Sequence, residues 1–171
     1  MRPLSSAVLS LVLAACSSAD LTAPSSTETA KDSRAVSRPL SGSCTTVVTR
    51  LAPPPIEVQR IEYTCRISHL GLSHAVVTQT VDVTTGALSS TGTYVAANGD
   101  ELGVGFSGTA VLSFTDPTNA TVTFQGIQEF SGGTGRFEDA TGTAQLAGTT
   151  ALNLITGAGT GELTFDGALT Y

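Results

Sequence analysis

The sequence predicts an all-β protein built as a single eight-stranded antiparallel up-and-down β-barrel. Three observations predict it. Apolar residues recur with period two: Ile61, Tyr63, Cys65 and Ile67 alternate with Glu62, Thr64, Arg66 and Ser68, and Leu163, Phe165, Leu169 and Tyr171 alternate with Glu162, Thr164, Asp166 and Thr170. Such alternation puts one face of each strand in a core and the other in water. Turn residues punctuate the chain at regular intervals, and no stretch shows the 3.6-residue period of an amphipathic helix. A meander of this length leaves two exposed edges unless it closes on itself, so closure is expected.

The strands fall near 44 to 51, 58 to 68, 75 to 83, 87 to 96, 101 to 114, 120 to 130, 142 to 151 and 160 to 171. Between the first two, Leu51-Ala52-Pro53-Pro54-Pro55-Ile56 cannot join a ladder and must be the connection. Cys44 and Cys65 lie symmetrically about it, so a hairpin sets them face to face. Their disulfide, closing about 20 residues, is worth roughly 3 kcal/mol in the chain-entropy model; the alternative is two unpaired core thiols. Thr84-Thr85-Gly86 fits a three-residue turn with a left-handed glycine. Ala97-Asn98-Gly99-Asp100 fits a two-residue hairpin turn, and Asp116-Pro117-Thr118-Asn119 fits a type I turn. From 44 to 171 the chain is long enough for one domain with a real core and too short for two.

The segment Ser131 to Gly142, SGGTGRFEDATG, holds four of the eighteen glycines and one of the eight basic side chains. It raises the question of an anion site. Phosphate-gripping loops need G-x-x-x-x-G-K-[ST] or G-x-G-x-x-G between a parallel strand and a helix. Neither pattern is present. The structural reading makes Gly132, Gly133, Gly135 and Gly142 turn positions, with Arg136 exposed and Phe137 plugging the end of the core.

Other chemical patterns are weaker still. Gly71-Leu72-Ser73-His74-Ala75 has the look of a degraded G-x-S-x-G elbow, but that elbow needs a strand-to-helix turn, and a loop serine beside a histidine is expected instead. His69 and His74 lack a nearby cysteine or carboxylate to complete a zinc set, so no metal site is expected. Asn119-Ala120-Thr121 matches a glycosylation sequon that its place beside a turn explains. No catalytic residue and no cofactor can be assigned.

Gly132-Gly133-Thr134-Gly135-Arg136-Phe137, followed by Ala140-Thr141-Gly142 before a strand, resembles the G-G-T-G-[RK]-F…A-x-G segment of the allene oxide cyclase and dirigent proteins. The likeness extends to Gly99-Asp100-Glu101-Leu102, to Gly126 and to a glycine-bearing final strand ending in tyrosine, and covers about the last 85 residues. It implies an eight-stranded antiparallel barrel. It also implies a place where small apolar molecules are held, oriented or cyclised by a few buried polar side chains. It carries none of those side chains over to a position of this chain.

The first fifteen residues read as an export signal: Arg2 is followed by the short apolar run Leu9-Ser10-Leu11-Val12-Leu13, too short to span a bilayer as a helix. Leu13-Ala14-Ala15-Cys16 resembles the lipobox of bacterial lipoproteins. The resemblance makes Cys16 the lipid-bearing N-terminus of the mature chain and the membrane its partner; Ser17 resembles the signal for transfer to the outer membrane. An ordinary secretory peptide with an incidental cysteine is the alternative. Residues 16 to 43, rich in Ser, Thr, Ala and Pro, read as a flexible tether.

From Cys44 onward four arginines face eleven acids, a net charge of about −7, with no lysine. Such a domain is a poor partner for nucleic acid or an anionic membrane face. The expectation is a protein of the bacterial cell envelope, facing the periplasm or the surface, whose barrel binds a small apolar molecule. An isomerase or cyclase acting on such a molecule, or a purely structural barrel filled by its own side chains, are the alternatives. Oligomeric state is not legible.

Overall fold

The structure, a computed structural model, describes residues 35–171; the proposed signal, Cys16 and most of the tether lie outside the described residues. Eight strands form one closed barrel in chain order: β1 (Ser37–Ala52), β2 (Ile56–Ile67), β3 (Gly71–Asp82), β4 (Ala87–Val95), β5 (Glu101–Asp116), β6 (Asn119–Gly133), β7 (Thr141–Asn153) and β8 (Gly159–Thr170). Every neighbouring pair is antiparallel, and β1 closes on β8 from Ser37 against Thr170 to Val48 against Gly159. The only helical piece among the described residues is a 3-10 turn, Gly135–Phe137.

The first strand begins at Ser37 rather than at 44. Arg38-Pro39-Leu40-Ser41-Gly42 is too polar to read as a strand, yet it pairs with Phe165 to Leu169, and Leu40 is fully buried. The Asn98-Gly99 turn also differs from expectation. Only Gly99 takes a positive φ, +89°, while the Ala96 N–H bonds the Asp100 carbonyl at 2.8 Å. The loop is therefore the three residues Ala97 to Gly99, a type I turn followed by a left-handed glycine. Gly86 takes the expected left-handed conformation at φ +74°. Ser73 and His74 lie on β3, not in a loop: the β2–β3 turn is tighter than expected, with His69 itself at φ +69°.

Outward positions carry Thr, Ser, Gln and Glu, for example Thr45, Thr64, Thr78, Ser89, Gln125 and Glu162. Val47, Leu72, Val76 and Val95 are exposed large apolar residues among them, on β1, β3 and β4. No helix among the described residues is long and apolar enough to cross a membrane.

The barrel has two unlike ends. The β2–β3, β4–β5 and β6–β7 connections, the start of β1 and the end of β8 gather at one, where Leu40, Leu70, Leu102, Phe137, Ala140 and Leu169 pack into the main core. Cys44 and Cys65 are register partners on β1 and β2 and are joined by a disulfide at the edge of that core. The β1–β2, β3–β4, β5–β6 and β7–β8 hairpins ring the other end, which is open.

Candidate functional site

Three of the open-end hairpins are held by Asp or Asn side chains bonding backbone N–H groups ahead of them in the turn. Asp82 takes the Thr84 N–H at 2.9 Å, Asp116 takes those of Thr118 and Asn119 at 2.8 and 3.0 Å, and Asn153 takes those of Ile155 and Thr156. These bonds hold Asp82 below the ordinary carboxylate range, chiefly through the Thr84 hydroxyl, and Asp116 down at about 2, chiefly through the Asn119 side chain. The mouth they frame is thus built before anything binds.

Below it lies a cavity of about 630 Å³, within the size range of small-molecule sites. Its lining descends from Pro54, Val83 and Leu154 in the loops to Tyr63, Tyr94, Gln128 and Leu146 in the middle of the strands. The walls are mostly apolar, formed by Val48, Ile61, Val77, Leu88, Phe106 and Phe124 among others. Inward positions there are mixed in size: Val48, Val77 and Thr150 stand among Leu88, Phe106, Phe124 and Leu152.

Two polar stations interrupt this lining. Near the mouth, the Arg50 Nη2 group donates to Glu57 Oε2 at 3.1 Å, and Nε lies 3.1 Å from Oε1, off the hydrogen-bonding direction. Gln59 donates to Glu57 Oε1 at 2.8 Å, Gln79 donates to Gln59 at 3.3 Å, and Arg50 Nη1 donates to the Leu154 carbonyl at 3.1 Å. The pair is almost dry and nearly self-satisfied, so Glu57, the lining's sole carboxylate, is already engaged.

Deeper in, the rings of Tyr63 and Tyr94 meet edge to face, 6.2 Å between centroids. Burial pushes the Tyr94 phenol up to about 12, with the Gln128 amide opposing the rise; burial, and then the neighbouring Tyr94, push Tyr63 higher still. Both phenols therefore stay protonated and serve as hydrogen-bond donors at any ordinary pH. Gln128 beside them is 3% exposed, and its Oε1 has no partner among the described residues.

The residues of the 131 to 142 segment and the histidines singled out in the sequence fall elsewhere, toward the closed end. Phe137 is fully buried and meets Tyr171 edge to face at 5.2 Å. Gly132 and Gly135 take positive φ, +63° and +57°; Gly133 and Gly142 press against the backbones of Glu101 to Leu102 and of Ala168 to Leu169. Arg136 donates to the His69 carbonyl, lies 3.7 Å from Asp100 and sits over the Phe137 ring. Its guanidinium joins three loops to one another. His69 bonds the Pro39 carbonyl at 3.0 Å and His74 faces Thr64 on the outer wall. Among the described residues no three His, Cys, Asp or Glu side chains converge as a metal group.

The interior polar residues were missed because they break the signal that finds strands. On β2, Val58 faces outward while Glu57 and Gln59 face inward, so the apolar alternation inverts. Extending the parity of Tyr63 and Ile61 four residues toward the N-terminus would have found them. No protein-family model, curated protein or solved structure matches the chain.

Proposed function

We propose that this is an envelope lipoprotein, anchored through Cys16, whose barrel holds one small, largely apolar molecule entering by the open end. The hollow upper half of the barrel carries the reading: a barrel serving only as structure would be filled at both ends, as this one is at its closed end. An apolar wall supplies affinity, and the Tyr63, Tyr94 and Gln128 group at the inner end supplies a polar contact that fixes orientation. The likeness of 132 to 142 to allene oxide cyclase and dirigent proteins agrees with this use of the lumen. An isomerase ranks lower because Glu57, the only carboxylate in the lining, is tied to Arg50 and Gln59 and is not free as a base.

The chain has no tryptophan, so the emission of a neutral apolar fluorophore such as N-phenyl-1-naphthylamine can be read without background. Saturable binding of one molecule per barrel is expected. Val81→Phe, which adds a ring inside the lumen, should abolish it while shifting stability by no more than about 1 to 3 kcal/mol. Absence of saturable binding by the unaltered protein would overturn the reading.

A further inference from the structure

Large apolar side chains exposed on this domain are not scattered. Of twelve among the described residues, seven ring the open mouth: Leu51, Ile56, Val83, Val111, Leu112, Phe114 and Ile155. The three most exposed, Ile155 at 73%, Phe114 at 72% and Val111 at 67%, are all there. All four rim hairpins contribute, and the β5–β6 hairpin carries Phe114 out past the lining. Exposed apolar groups concentrated at one site mark an interaction surface.

We propose that this rim docks on the surface of an uncharged or zwitterionic lipid bilayer, so that the cavity opens onto the membrane. The inference rests on the reading above. Three observations select the occupant. Apolar tips spread over four separate hairpins around a hole can be covered at once by a continuous apolar medium, whereas a protein partner would seat on one contiguous patch. The charges at the rim exclude an anionic surface: Arg50 is spent on Glu57, while Asp82 and Asp116 are solvent-facing and held ionised by their turns. The length of chain ahead of the barrel permits the orientation. Strand β1 starts at the closed end, and the 20 residues from 17 to 36 reach roughly 66 Å when extended. The barrel, with strands of about 12 residues tilted near 40°, is roughly 30 Å tall. A lipid on Cys16 and the rim at the opposite end can therefore touch the same bilayer. An apolar ligand then passes between membrane and lumen without crossing water.

The test uses the mature-length chain with Cys16→Ser, so that no anchor masks the rim, sedimented with phosphatidylcholine vesicles. Co-sedimentation is expected. The Phe114→Ser and Ile155→Ser double variant, changed at exposed positions outside the cavity lining, should lower vesicle binding at least tenfold. Replacing half of the lipid with phosphatidylglycerol should also weaken binding, more so at low salt. No co-sedimentation, binding unchanged in the double variant, or a concentration-dependent dimer that the double variant dissolves would each overturn the inference; the dimer would assign the rim to a second copy of the chain. Fluorophore titration of the same samples separates the two readings. A protein that binds the fluorophore but not vesicles loses only the docking inference, and one that binds neither loses both.

Discussion

The same eight strands build a closed end that is solid and an open end that is hollow, and what differs is whether loop side chains fold in to fill the inside. Toward the closed end the inward positions are Leu40, Ile67, Leu102, Phe130, Phe165 and Leu169, with Phe137 and Leu70 folded in from loops. Toward the open end valines, amides and threonine stand among Ile61, Leu88, Phe106, Phe124 and Leu152, and no loop side chain folds in to plug the space between them. Packing density at one end holds the barrel together; lack of it at the other leaves a site. Stability and binding are therefore separable by position along the axis, and substitutions at the two ends should sort accordingly.

The largest effect belongs to the plug. Phe137→Ala would leave a phenyl-sized void in a fully buried site and should cost about 3 to 5 kcal/mol by urea denaturation. A loss under 1 kcal/mol would mean that the closed end is not the stabilising one. Next comes the Cys44–Cys65 disulfide. Cys44→Ser with Cys65→Ser should cost roughly 3 kcal/mol, with fluorophore binding at the far end retained once the protein is folded. Loss of binding in the still-folded variant would show that the ends are coupled.

The strand ladder was legible because period two survives wherever one face is uniformly apolar. All eight strands and their order follow from it, and the Pro53-Pro54-Pro55 connection placed the cysteine pair in register. Two features were not legible. Ser37 to Ser43 hides a strand because Leu40 is its one large inward side chain and Pro39 argues against a ladder. The lining was hidden because a site that needs inward Glu57, Gln59, Gln79 and Gln128 must give up the alternation by which strands are recognised. Local rules fail where the interior does something other than pack.

A smaller effect tests the loop that joins the closed end. Gly135 holds φ +57°, and a Cβ there would lie within 2.6 Å of the Asp100 carboxyl carbon. Gly135→Val should cost about 1 to 3 kcal/mol. Arg136→Ala should cost under about 1 kcal/mol, since the guanidinium is partly exposed and its ion pair with Asp100 is long. Millimolar phosphate should leave the unfolding temperature of the unaltered protein where it was. An upward shift that vanishes in Arg136→Ala would mean that the loop binds an anion after all.

The smallest effect lies at the open end, where stability is local to each turn. Asp116 accepts from Thr118 and Asn119, and these bonds hold its carboxyl near 2 instead of about 3.9. A folded-state value below the unfolded one means that the carboxylate form is preferred by the folded turn. Its contribution is present in full above the unfolded value and is lost as pH falls through the folded one, a window from about pH 4 down to about 2. The side chain is fully open to water, so the whole barrel should not feel the loss. By NMR, the Asp116 carboxyl should titrate with a midpoint of about 2, and the Thr118 and Asn119 amide signals should move with it. The amides of Leu102 and Phe130, at the closed end, should stay still in that step. A midpoint near the unperturbed carboxylate value would show that the hairpin is unpinned in solution. The mouth would then be shaped by its ligand or by the bilayer instead of standing preformed.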